Sequence, residues 1–177
     1  MKTIAAILAL HPVSSIRIVN DGWMPLTIER IGHGPNGHPS VSVCHYGEQN
    51  GDLMRDPEMC FEVIPASGAT AETWAPYYFR NDYAGIEQEV YSADEAGRQL
   101  VRTKLLAELR SFARTWDRNL REQGFVEAAR LQRTAALEAE RADLRTKMLA
   151  AAAAPLVAPA SFSTQADFFT AQTDLFA

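Results

Sequence analysis

Asn50-Gly51 lies between two runs in which apolar and polar residues alternate, and no other feature of the chain restricts its fold as strongly. Both residues tolerate positive φ, which the two-residue turns of β-hairpins demand. Before the pair, SVSVCHY places Val41, Val43 and His45 on one side of a strand and Ser42, Cys44 and Tyr46 on the other. After it, MCFEVI sets Met59, Phe61 and Val63 against Cys60, Glu62 and Ile64. A period of two over four to eight residues is the pattern of a half-buried strand. LTIERI repeats it, with Leu26, Ile28 and Arg30 on one side. WAPYYFR and IEQEVYS follow, with GHGPNGHP and NDYAG as turns. Residues 23–91 therefore read as a meander of four or five antiparallel strands.

The flanks read as helix. TIAAILAL predicts a first helix from Thr3 to Leu10, and SIRIVND a further short strand. A lysine followed by an apolar run also opens a signal peptide, but no A-x-A-like cleavage site precedes His11 and Pro12. The expectation is a helix and a cytoplasmic chain. No apolar run approaches the roughly 20 residues of a membrane helix, so no membrane partner is expected. Ser92 and Glu95 have the spacing of a capping box, which predicts a helix from there. Val101, Leu105, Leu109, Phe112, Trp116 and Leu120 make its apolar stripe, with Arg110, Arg114, Arg118 and Arg121 on the opposite face. Gly124 marks a break, and an Ala-, Arg- and Glu-rich second helix follows. Pro155 and Pro159 stop it. The expected fold is α+β: a small antiparallel sheet with a short N-terminal helix, then two helices and a flexible tail. The boundaries are 1–91 for the α+β domain, 92–149 for the helical extension and 150–177 for the tail.

Charge is uneven within a net of −5. Residues 1–97 hold five basic and thirteen acidic side chains, a net of −8, and residues 98–149 hold twelve and seven, a net of +5. That overall balance does not favour a general nucleic-acid binder. The arginine face could still track phosphates, but such faces are more often solvated or paired, here with the acidic domain in the same chain or a dimer. Two cysteines, Cys44 and Cys60, offer no disulfide framework. Cys44 and His45 are neighbours in a strand and point to opposite faces, so they do not share a metal site. No metal site and no cofactor are expected.

The densest chemistry before residue 92 is HYGEQNGDLMRDPEM, with His45, Glu48, Asn50, Asp52, Arg55, Asp56 and Glu58. Carboxylates converging near a hairpin can hold a hard cation or act as acid and base. They can equally solvate a hairpin tip, with Asp56-Pro57 making a second turn. No nucleophile and base at recognisable spacing, and no glycine-rich phosphate loop, accompanies them. The second reading is preferred, and no catalytic residue is assigned.

HYGEQNGDLMRDPEMCFEV and YFRNDYAGIEQEVY resemble the signature segments of a family of small uncharacterised domains found in proteins of bacterial plasmids, integrative elements and phages. The resemblance covers roughly residues 20–95. It implies a mobile-element setting and a compact α+β domain, and it carries over no activity.

Two near-copies of one pentapeptide lie in the tail, QADFF at 165–169 and QTDLF at 172–176. Both resemble the peptide by which bacterial polymerases and repair proteins bind the sliding clamp: Gln, a variable residue, Ser or Asp, a large apolar residue, then Phe. Gln165, Asp167, Phe168 and Phe169 match one copy, and Gln172, Asp174, Leu175 and Phe176 the other. Ala166 and Thr173 depart from the Leu commonest at the second position, which is expected to weaken affinity rather than abolish recognition. The competing reading is a short amphipathic helix that docks on the protein itself. The expected function is a non-enzymatic mobile-element accessory protein that binds the host clamp through these peptides. One alternative is an anti-defence or other interaction module acting through the acidic folded domain. Another is a metal-dependent enzyme using the hairpin carboxylates.

Overall fold

The structure is a computed structural model and describes residues 1–153. The two pentapeptides lie outside the described residues. The described chain runs α1 (Lys2–Leu10), β1 (Ser15–Ile18), β2 (Leu26–His33), β3 (Pro39–Gln49), β4 (Asp52–Ile64), β5 (Thr73–Asn81), β6 (Ile86–Glu89), β7 (Tyr91–Ala93), β8 (Gln99–Val101), α2 (Thr103–Glu122) and α3 (Phe125–Ala153). The fold is α+β. Residues 1–138 form one compact unit, and the described chain from Ala139 belongs to a second.

Six strands form one sheet in chain order, β1 to β6, each antiparallel to the next. Asn50-Gly51 makes the β3–β4 turn, both with positive φ (56° and 89°), as their residue types allow. The register that follows sets Val41 opposite Phe61 and Val43 opposite Met59. In the neighbouring pairs Ile28 meets Val43, and Ile16 and Ile18 meet Ile28 and Leu26. These alternate residues form one continuous apolar face, and all of them are buried.

Three helical segments cover that face. α1 contributes Ile4, Ile7 and Leu8; α2 contributes Leu109, Ala113, Trp116 and Leu120; the start of α3 contributes Phe125 and Ala129. α1 is tied to α2 by Asp117, whose carboxylate accepts from the backbone amides of Lys2 (3.1 Å) and Thr3 (2.9 Å). First-turn amides have no partner inside their own helix, so a carboxylate there supplies both a hydrogen bond and a favourable charge. Gly124, at φ +84°, ends α2 and turns the chain so that Phe125 enters the core.

The helix after the sheet starts at Thr103 rather than Ser92. Ser92 and Glu95 do not form a capping box. Instead β7 and β8 pair around a turn held by the Asp94 carboxylate, which accepts from the amides of Ala96 (2.9 Å) and Arg98 (2.8 Å) and from Arg98 Nε (2.7 Å). Gly97 supplies the positive φ of that turn. Aspartate satisfies turn amides as readily as helix-start amides, and the same residues serve either geometry. Val101 consequently belongs to a strand and is exposed, and the buried stripe begins at Leu109.

Leu120 is fully buried beneath the sheet's apolar face, whereas Leu144 is 58% exposed. Leu120→Ala is expected to cost about 2–5 kcal/mol in urea unfolding. Leu144→Ala is expected to change stability by less than about 0.5 kcal/mol. Equal losses in the two variants would show that the packing described for α2 is mistaken.

Candidate functional site

The second face of the sheet carries the polar chemistry, and its centre is also buried. Ser40, Ser42, Cys44, Cys60 and Glu62 project there and are all less than 9% exposed. β-Bulges at Cys44/Tyr46 and Cys60/Phe61 bring further groups onto this face. At the second, Cys60 pairs with Tyr78 and Phe61 with Pro76, so Tyr77 is the extra residue. Its hydroxyl meets Ser40 Oγ at 2.8 Å. At the first, Asp56 and Pro57 lie opposite His45, where proline's missing N–H is tolerated.

The hairpin residues divide into three groups. Glu48, Asn50 and Asp52 are exposed at or beside the turn. His45 leaves the polar face altogether. Its ring packs 5.7 Å from Trp116 and 5.6 Å from Phe125, and its Nδ1–H donates to the Pro25 carbonyl at 3.2 Å. Arg55, Asp56 and Glu58 do come together, but with partners from β5 and the turn beyond it. Arg55 Nε lies 2.8 Å from Glu58, and Glu58 accepts from Ser42 Oγ at 2.7 Å. Asp82 accepts from the Arg55 amide (2.8 Å) and from Arg80 Nε (2.6 Å), and Asp56 accepts from Asn81 Nδ2 (2.7 Å). Glu87 completes the cluster through the Tyr78 hydroxyl (2.7 Å) and Arg80. HYGEQNGDLMRDPEMCFEV and YFRNDYAGIEQEVY thus meet across one strand pair. Arg80, Asn81, Asp82 and Glu87 had a signal in the second segment, but nothing in its spacing points to Arg55.

The protonation states follow from these contacts. The Arg55 amide, then the Arg80 side chain, holds the Asp82 carboxyl below the usual carboxylate range. Burial, reinforced by Glu58, pushes both Cys44 and Cys60 up to about 12. Both are thiols at neutral pH and therefore poor nucleophiles. Among the described residues, no group of three or more His, Cys, Asp or Glu side chains is placed to hold a metal ion. What the arrangement does chemically is fix geometry: charged side chains pair with one another and orient the hairpin against β5, while Arg55 Nε, though 2.8 Å from Glu58, is not aligned for a hydrogen bond.

Glu62 does the same for the loop after β2. It is 1% exposed, and its carboxylate accepts from Asn36 N (2.7 Å), Asn36 Nδ2 (2.6 Å) and His38 N (3.3 Å). Gly34 passes so close that any Cβ there would clash with the Glu62 side chain. A buried carboxylate persists only when hydrogen-bonded, and the loop supplies the donors. The alternation of MCFEVI puts Glu62 on the correct face but does not reveal that this face is closed.

A sheet packed on one side by helices, with paired charged side chains on the other, defines a small α+β domain. The chain belongs to the family described as Domain of unknown function (DUF6908), whose model matches residues 2–126. No curated protein and no solved structure matches it.

Two measurements test this site. Glu62→Gln is expected to cost about 1–3 kcal/mol, because the amide's NH₂ end opposes donors it cannot accept from. Hydrogen exchange at Asn36 and His38 should accelerate with it, and unchanged exchange there would contradict the clasp. Burial, the largest cause, lowers the His45 pKa below its usual 6.5. The unfolded chain then binds a proton that the folded one does not, so stability is full above pH 6.5 and declines as pH falls below it. Chemical unfolding at pH 7 and pH 5 should show a steeper loss for wild type than for His45→Gln.

Proposed function

We propose that the chain is a non-enzymatic accessory protein whose C-terminal peptides, Gln165–Phe169 and Gln172–Phe176, bind a bacterial sliding clamp. The observation that carries this reading is the repetition itself: Gln, Asp, a large apolar residue and Phe recur in register seven residues apart. A short peptide loses conformational entropy when it binds and needs a few side chains with large burial to offset it. Two adjacent apolar side chains supply about 1.5–3 kcal/mol each if fully buried. Gln adds directional hydrogen bonds. Equivalent positions in the two copies span at most about 25 Å, so they exchange at one pocket rather than bridge distant ones. The mobile-element setting implied by the two signature segments is consistent with use of a host replication component.

A second reading places the interaction on the folded domain. It is favoured by β6, a sheet-edge strand exposed along its whole length and carrying Glu87 and Glu89. A chain ending at residue 153 separates the two readings.

Binding of purified clamp to the immobilised full chain is the test. Micromolar affinity is expected, with at least a tenfold loss on Phe169→Ala combined with Phe176→Ala, equivalent to about 1.4 kcal/mol. Equal binding by wild type and the double variant, or none at high micromolar clamp, would remove this function.

A further inference from the structure

α2 has two faces, and the core accounts for one. Arg110, Arg114, Arg118 and Arg121 are all exposed on the other. At about 100° per residue they fall within an arc of roughly 80°, and at ~1.5 Å per residue they extend over about 16 Å of helix. Glu108 and Glu122 fall beyond one border of that arc. Asp117 falls beyond the other, where its carboxylate is engaged by the amides of Lys2 and Thr3. Among the described residues none of the four arginines makes an ion pair, although exposed pairs form nearby, as in Lys104–Glu108 and Glu127–Arg130. Of the alternatives for this face, pairing with the acidic domain of the same chain does not occur among the described residues, and the face is solvent-exposed. At its N-terminal end the ridge meets a cavity of about 350 Å³, walled by Arg110 and Arg114 together with Lys2, Thr73, Trp74 and Asp117, whose carboxylate is occupied by the amides of Lys2 and Thr3.

We infer that this ridge is a nucleic-acid-binding surface that takes the phosphodiester backbone. Like charges at i,i+4 repel, so Arg110–Arg114 and Arg114–Arg118 oppose the helix that carries them. A polyanion removes that repulsion. All four positions are arginine, whose planar fork pairs bidentately with phosphate oxygens, rather than the more compact lysine. Successive arginines one turn apart rise about 6 Å, against about 3.4 Å per phosphate along one strand of a duplex, so every guanidinium finds a phosphate within reach. Trp74 and Lys2 in the adjoining cavity add an aromatic ring and a further cation, the combination that single strands use. An anionic membrane is the poorer partner. Membrane-surface helices lay an apolar face into the lipid, and the apolar stripe of α2, Leu109, Trp116 and Leu120, is buried in the core. The surface is independent of the clamp peptides and lies within residues 1–138.

The test is fluorescence anisotropy of the full-length protein with a labelled 20-nucleotide single strand, the matching duplex and the matching RNA. Polyglutamate of similar length serves as competitor. Wild type should bind at least one of the three oligonucleotides at 50 mM salt, weakening on a log–log salt plot with a slope near −3 to −4, as expected for four neutralised phosphates. Arg110→Ala/Arg114→Ala/Arg118→Ala should lose at least tenfold in affinity and flatten that slope, with an unchanged circular dichroism melt. The exposed control Arg141→Ala should bind like wild type, and the three oligonucleotide arms show which strand form is preferred. Three results would each overturn the proposal. These are equal binding by wild type and the triple variant, displacement by polyglutamate at equal phosphate and carboxylate concentration, and a wild-type dimer that the triple variant dissociates without any nucleic-acid binding. Loss of clamp binding by Phe169→Ala/Phe176→Ala leaves this result untouched, so the two ideas fail separately.

Discussion

The pairing of β3 with β4 is the constraint on which the rest of the domain depends. These are the two longest strands and the middle pair of the sheet. Their register places Val41, Val43, Met59 and Phe61 on one face and Ser40, Ser42, Cys60 and Glu62 on the other. A slip of one residue would exchange the faces completely, since side chains alternate with a period of two. The helices would then meet a glutamate and two serines, and the loop after β2 would lose its carboxylate. The Asn50-Gly51 turn fixes this register locally, and burial on both faces locks it.

The consequence for chemistry is that most polar groups of the sheet have structural duties. Glu58 joins Ser42 to Arg55, Asp82 joins Arg55 to Arg80, and Glu62 holds three donors of one loop. Exposed ion pairs contribute little individually. These are part-buried and shared, so removing one member leaves others unmatched. The high pKa values of the two buried thiols fit the same picture, because burial, with Glu58 nearby, disfavours their thiolate forms.

α2 links the fold to its surroundings. Leu109, Trp116 and Leu120 anchor it to the sheet, His45 and Phe125 close around Trp116, and Asp117 fastens α1 alongside. With that face committed, the arginines are held in a fixed row on a rigid element. A positive row on a chain of net charge −5 is local, so it acts at contact distance rather than by steering from afar.

Much of this was legible in the sequence because it depends on neighbours a few residues apart. Alternation in SVSVCHY and MCFEVI marked the strands and the side each residue takes, Asn50-Gly51 marked the turn, and the helical spacing marked Leu109, Trp116 and Leu120 as buried in α2, though it also took in Phe112, which is 41% exposed. The opposite orientations of Cys44 and His45 also followed from the period of two. Only the tertiary structure decided what those sides meet. Ser92 and Glu95 have the same spacing in a capping box and in the Asp94 turn, and pairing of β7 with β8 selects between them. His45 joins Trp116 and Phe125, and Arg55 joins Asp82, across 71, 80 and 27 residues of chain. Local periodicity sets the direction in which a side chain points, but a contact between distant segments exists only once loop closure, strand register and bulges have fixed where both chains run.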